Sequence, residues 1–150
     1  MNSQKTISSI LLLLLLVFVG ACGDDEGTAL GKRQITVPLA YGEGSNHGPK
    51  DATGTATIDT VSGKVTITVS GLPKLDADRY EGWLSGGGED PVTTAKFNTD
   101  DTGVGSSDIT LGDISGRTYT TVVLTVEPEP DPSPAPDARH SIAGRIPADG

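Results

Sequence analysis

From residue 34 onward the chain alternates apolar and polar side chains. Ile35, Val37, Leu39 and Tyr41 fall between Gln34, Thr36, Pro38 and Ala40, the period-two pattern of a strand with one buried face. Pro38 cannot donate to a ladder, which points to a sheet edge for this strand. Ala56 to Val61, the turn Ser62-Gly63, and Lys64 to Ser70 predict a hairpin rich in β-branched residues, which suit a pleated surface. Tyr80-Glu81-Gly82-Trp83-Leu84 predicts a further strand closed by Gly86-Gly87-Gly88, and Pro91 to Phe97 predicts another. Asn98-Thr99-Asp100-Asp101-Thr102-Gly103 reads as a turn whose short polar side chains bond the local backbone. Asp108 to Leu111 is a short strand. Tyr119 to Val126 carries Val122, Leu124 and Val126 on one face and Tyr119, Thr121, Val123 and Thr125 on the other, and Ala138 to Ile146 alternates weakly. Seven or eight short strands without an amphipathic helix predict an all-β, immunoglobulin-like β-sandwich over residues 32–150. Prolines 128, 130, 132, 134 and 136 predict a stiff polyproline-II excursion between the last two strands.

The N-terminus has a different pattern. Lys5 precedes an apolar stretch from Ile10 to Val19, shorter than the roughly 20 residues a spanning helix needs, followed by small residues. That is the arrangement of a cleavable secretory signal over residues 1–21. Val19-Gly20-Ala21-Cys22 resembles the bacterial lipobox, in which the cysteine is acylated and becomes the first residue of the mature chain. Cys22 is the only cysteine, so no internal disulfide can form, and lipidation would leave no reactive thiol in an exported protein. The expectation is a membrane-anchored lipoprotein of the bacterial cell envelope, its domain on the extracytoplasmic side. Residues 22–31, acidic and glycine-rich, are expected to be a flexible tether.

Composition narrows the function classes. With 11 basic and 20 acidic residues the chain carries a formal charge of -9, which excludes a phosphate-binding nucleic-acid module. Only Lys5 is charged within residues 1–21, so the mature chain would be more acidic still. The 20 glycines and 10 prolines favour turns and extended segments over helices.

Tyr80-Glu81-Gly82-Trp83-Leu84, Pro91 to Phe97, Leu124-Thr125-Val126-Glu127-Pro128 and His140 to Gly144 together resemble the extracytoplasmic domain of anti-sigma-K factors, over roughly residues 50–146. The resemblance implies a β-sandwich with a sensing or interaction role. It does not carry over sigma inhibition: a cleavable signal stands where the family has a cytoplasmic sigma-binding domain and a spanning helix, so no direct sigma factor contact is expected.

The residues offer little chemistry. His47 and His140 lie far apart in sequence with no cysteine to join them, so no zinc site is expected, and no cofactor. Asp76-Ala77-Asp78 and the Asn98–Gly103 turn do not fit a calcium-binding loop. Serines 106, 107, 115 and 141 lack a nucleophile setting, so no enzyme is expected. Tyr80 and Trp83 lie on opposite strand faces, which makes one a core residue and the other a candidate platform for a glycan or an envelope protein. Glu127 closes the same region, so the candidate binding residues are Tyr80, Trp83 and Glu127. The alternative is a minor envelope hydrolase or glycan-binding module using surface carboxylates among Glu81, Glu89, Asp90 and Glu127, with His140 and an exposed aromatic.

Overall fold

The computed structural model describes residues 27–148 apart from residue 43; the signal segment and Cys22 lie outside the described residues. In chain order the strands are β1 (Gln34–Ala40), β2 (Thr53–Asp59), β3 (Lys64–Ser70), β4 (Arg79–Gly86), β5 (Glu89–Phe97), β6 (Gly105–Thr110), β7 (Thr121–Glu127) and β8 (His140–Arg145). All pairings are antiparallel, in the order β5-β4-β7-β8-β1-β2-β3-β6. The two ends of that order, β5 and β6, also lie against each other, so the sheet nearly closes on itself. The protein is thus all-β, and no helix of the described residues is long and apolar enough to cross a membrane.

The period-two pattern sets which face closes inward. Ile35, Val37 and Leu39 of β1 are buried, as are Ala56 and Ile58 of β2, Val65, Ile67 and Val69 of β3, and Val122, Leu124 and Val126 of β7. With Tyr80, Leu84 and Ile142 they form one apolar cluster inside the curled sheet. Removing such aliphatic side chains from water is the main stabilising term, roughly 25 cal/mol per Å².

Pro38 does not lie at an edge of the strand order, because β1 stands between β8 and β2. Its tolerance has a local cause. The β1–β2 ladder runs from Gln34↔Asp59 to Ala40↔Thr53, but β1 meets β8 only at Ala40↔Ala143. That side of β1 is a seam with almost no ladder to interrupt. The end of the segment expected to be a tether packs against the domain. Leu30 is only 2% exposed and joins the core cluster, the Leu30 amide donates to the Arg117 carbonyl at 2.8 Å, and the Gly31 amide donates to Ser115 at 2.9 Å. A single leucine in a polar stretch has no periodicity to reveal it.

The proline segment after β7 is no stiff rod. It turns back over the sheet through a cis Glu129-Pro130 bond and side-chain turns, with Asp131 accepting from the Ser133 amide at 2.8 Å and Ser133 from the Ala135 amide at 3.1 Å. Pairing the prolines with Asp and Ser supplies turn chemistry that competes with extension.

Gly82 lies where β4 meets β5 and β3, and a Cβ there would come within 2.2 Å of Thr94 Oγ1 and 2.5 Å of Ile67 Cδ1. Gly82→Ala should therefore destabilise the fold by about 1–3 kcal/mol in urea unfolding. Gly116→Ala, whose Cβ would meet nothing within 4 Å, should stay within about 0.5 kcal/mol of wild type.

Candidate functional site

Strand β7 is buried on both faces, which one core alone does not explain. Its second face carries Val123, Thr125 and Glu127, and Glu127 is only 1% exposed. Register places Glu81 opposite Thr125 and Trp83 opposite Val123, while on the other side of β4 Glu81 faces Lys96 and Trp83 faces Thr93. These side chains, at 4% exposure for Glu81 and 3% for Trp83, form a second and polar interior outside the sheet. The proline segment closes it, bringing Asp131 beside Glu81 and Glu127.

A bulge shapes the β5 side. Thr94 and Ala95 together oppose Gly82, and Ala95 takes φ 96°, a left-handed conformation costly for any residue with a Cβ. The extra residue lets both Thr93 and Lys96 flank Glu81. Thr93 Oγ1 donates to Glu81 Oε1 at 2.5 Å and accepts from the Ala95 amide at 3.2 Å, so one hydroxyl ties the strained turn to the carboxylate.

Thr125 is the node on the β7 side. Its hydroxyl accepts from Trp83 Nε1 at 2.9 Å and donates to Glu127 Oε1, and Glu127 Oε1 also accepts from the Asp137 amide at 2.9 Å, which fastens the far end of the proline segment. The near end is held by Lys96, whose ammonium lies 2.9 Å from Glu129, 3.1 Å from Asp131 and 3.7 Å from Glu81 Oε2.

Charge is unbalanced here. Three carboxylates (Glu81, Glu129 and Asp131) share the Lys96 ammonium, and a fourth, Glu127, lies beside two of them. One oxygen each of Glu81, Glu127 and Asp131 lies within 4.8 Å of the others, a separation at which two ionised carboxylates repel by about 3 kcal/mol or more at an effective dielectric near 20. Burial pushes the Glu81 carboxyl above its ordinary value, and the charges of Glu127 and Asp131 add to that, while Thr93 and Lys96 oppose it. Asp131 is held below its ordinary value by the Ser133 amide and Lys96. Lys96 is raised by its bonds to Glu129 and Asp131.

Of the residues singled out from sequence, Trp83 and Glu127 join this network and Tyr80 does not. Tyr80 faces the apolar core, its hydroxyl donating to the Pro73 carbonyl at 2.8 Å and its ring 5.9 Å from that of Phe97. Neither Tyr80 nor Trp83 is exposed. Glu89 lies elsewhere, accepting from Arg117 at 3.1 Å and the Thr118 amide at 3.1 Å, and Asp90 is exposed. The His47 amide donates to the His140 carbonyl at 3.0 Å, so the two histidine backbones meet. The acids of the calcium-like stretches are used locally: Asp78 pairs with Arg139 at 2.6 Å, and Asp100 Oδ1 accepts from the Thr102 and Val104 amides at 2.9 and 3.0 Å. Thr93, Lys96, Thr125 and Asp131 went unrecognised in the sequence. The available signal was the parity of Thr125 and Glu127 with Val123 on a strand apolar on both faces.

The clefts lined by residues 27–30 and 145–148, and by the β1–β8 seam, lie apart from the carboxylate cluster, whose Glu81 and Glu127 are buried. The cluster is therefore a covered site. Comparison with known proteins adds no identification: no family model, curated protein or solved structure matches the chain.

Two outcomes follow. Thr125→Val removes the acceptor of Trp83 Nε1 and a donor to Glu127, leaving buried polar atoms unsatisfied, and should cost about 2–4 kcal/mol in urea unfolding. Glu81 binds its proton more tightly folded than unfolded, so wild type loses stability as pH rises from the ordinary glutamate value through the raised one. In urea unfolding followed against pH, Glu81→Gln should remove that loss and be more stable than wild type at neutral pH, with little difference below the ordinary value.

Proposed function

We propose that the chain is a lipid-anchored protein of the bacterial cell envelope whose extracytoplasmic domain binds or senses a partner and catalyses nothing. The observation that carries this reading is Val19-Gly20-Ala21-Cys22 after a short apolar segment, with Cys22 the only cysteine. Four residues lie between Cys22 and Gly27, the first residue the structure describes. At about 3.5 Å per extended residue the domain stays within roughly 20 Å of the acylated position. Two acyl chains provide stable attachment where one does not.

The fold reads further as a sandwich of two halves, β5-β4-β7-β8 and β1-β2-β3-β6, joined in the strand order by the single pair Ala40↔Ala143. That reading accords with the resemblance to the outer domain of anti-sigma-K factors. Export of everything after residue 21 separates the domain from cytoplasmic sigma factors, so its partner is an envelope protein or a glycan. Hydrolysis by Glu81 and Glu127 would require the proline segment to open, which favours binding over catalysis.

Metabolic palmitate labelling tests the anchor. Wild type should take up label and Cys22→Ser should take up none; equal labelling of the two would overturn the reading. Recovery of a sigma factor directly crosslinked to the wild-type chain would contradict the topology.

A further inference from the structure

We propose that Glu81, Glu127 and Asp131 bind a hard divalent cation, calcium in particular, and that Lys96 is its internal competitor. Clustering is not the sole ground. Glu81 Oε2 is fully removed from solvent on a residue only 4% exposed, and it receives no hydrogen bond. Its one cationic neighbour, Lys96 Nζ, stands at 3.7 Å, beyond hydrogen-bond reach, because the ammonium donates instead to Glu129 and Asp131. A buried carboxylate oxygen is thus left without a hydrogen-bond donor, on a side chain whose carboxylate lies within reach of two other acids.

The donors are all oxygen, the set that hard cations prefer. Hydration and coordination geometry select among those cations. Magnesium keeps several waters and demands a near-ideal octahedron, whereas calcium accepts irregular sets of carboxylate oxygens, so a covered group of acids held on separate strands favours calcium. The carboxylate oxygens lie within 4.8 Å of one another, close enough to share one ion. A +2 ion also neutralises more of the four carboxylates than one ammonium does. Lys96 can yield its place, since its side chain is 32% exposed and can extend into solvent.

The three ligands come from β4, β7 and the proline segment. A bound ion would therefore fasten the segment to the sheet, and its occupancy would regulate how firmly the outer layer closes. This goes beyond the reading of the chain as an anchored binding domain and stands or falls independently of Cys22.

Terbium provides the probe, because the chain has a single tryptophan and Trp83 lies one hydroxyl away from Glu127. The full-length chain, excited at Trp83, should sensitise terbium emission that calcium displaces and magnesium displaces far less. Calcium should raise the melting temperature by about 5 °C over the chelated protein. Glu81→Gln and Asp131→Asn should each weaken calcium binding about tenfold or more, and Lys96→Met should strengthen it about tenfold. Circular dichroism checks that each variant is folded, and Asp131→Asn serves if Glu81→Gln is not. The proposal is overturned by any of three results: no sensitised emission from wild type, emission unchanged by both carboxylate variants, or binding that appears only in Lys96→Met.

Discussion

A carboxylate inside a protein must be met by donors or by positive charge, and the outer layer of this fold is organised by that requirement at Glu127 and Glu81. Glu127 is met by the Thr125 hydroxyl and the Asp137 amide. Those two contacts tie strand β7 to the end of the proline segment, and through Thr125 to Trp83 on β4. Glu81 is met on one oxygen by Thr93, and that bond fixes the bulge of β5. Desolvating a charge costs several kcal/mol, so the donors that meet these two carboxylates cannot be removed without leaving a buried charge unmet. The strained Ala95 is held in place by the same bonds, since its amide donates to the hydroxyl that serves Glu81.

The apolar interior imposes a separate constraint. Gly82 has no side chain because Thr94 and Ile67 fill the space beneath it, and the bulge that aims Thr93 and Lys96 at Glu81 lies opposite that same glycine. Core packing and the polar layer therefore share β4, whose even positions Tyr80, Gly82 and Leu84 face inward while Glu81 and Trp83 face the proline segment. This sharing explains how a chain with few large apolar residues fills two interiors from one strand.

Much of the fold was legible in the sequence, because period-two alternation reports burial directly. Ile35, Val37 and Leu39 show it, as do Val122, Leu124 and Val126. The hairpin around Ser62-Gly63 was legible for the same reason, with turn chemistry added. Four features were not. Leu30 is an isolated apolar residue, and burial without a repeat leaves no pattern. Pro38 is tolerated at a seam created by β8, more than 100 residues away in sequence. The carboxylate cluster joins Glu81 to Glu127 and Asp131 across a register that local rules do not contain, and the turn residues interleaved with the prolines were outweighed by the prolines themselves. Parity set Tyr80 and Trp83 on opposite strand faces but does not tell which face is the apolar core; the structure puts Tyr80 in that core and Trp83 with Glu127 in the polar layer.

The central claim is that the outer face of β4 and β7 is an interior closed by the proline segment. Trp83 is the chain's only tryptophan and lies within that interior, so its fluorescence reports the closure without interference. Acrylamide quenching of the folded and urea-unfolded chain is the most direct test. A closed layer predicts a blue-shifted emission and quenching severalfold slower in the folded protein. Emission and quenching indistinguishable from those of the unfolded chain would contradict the account.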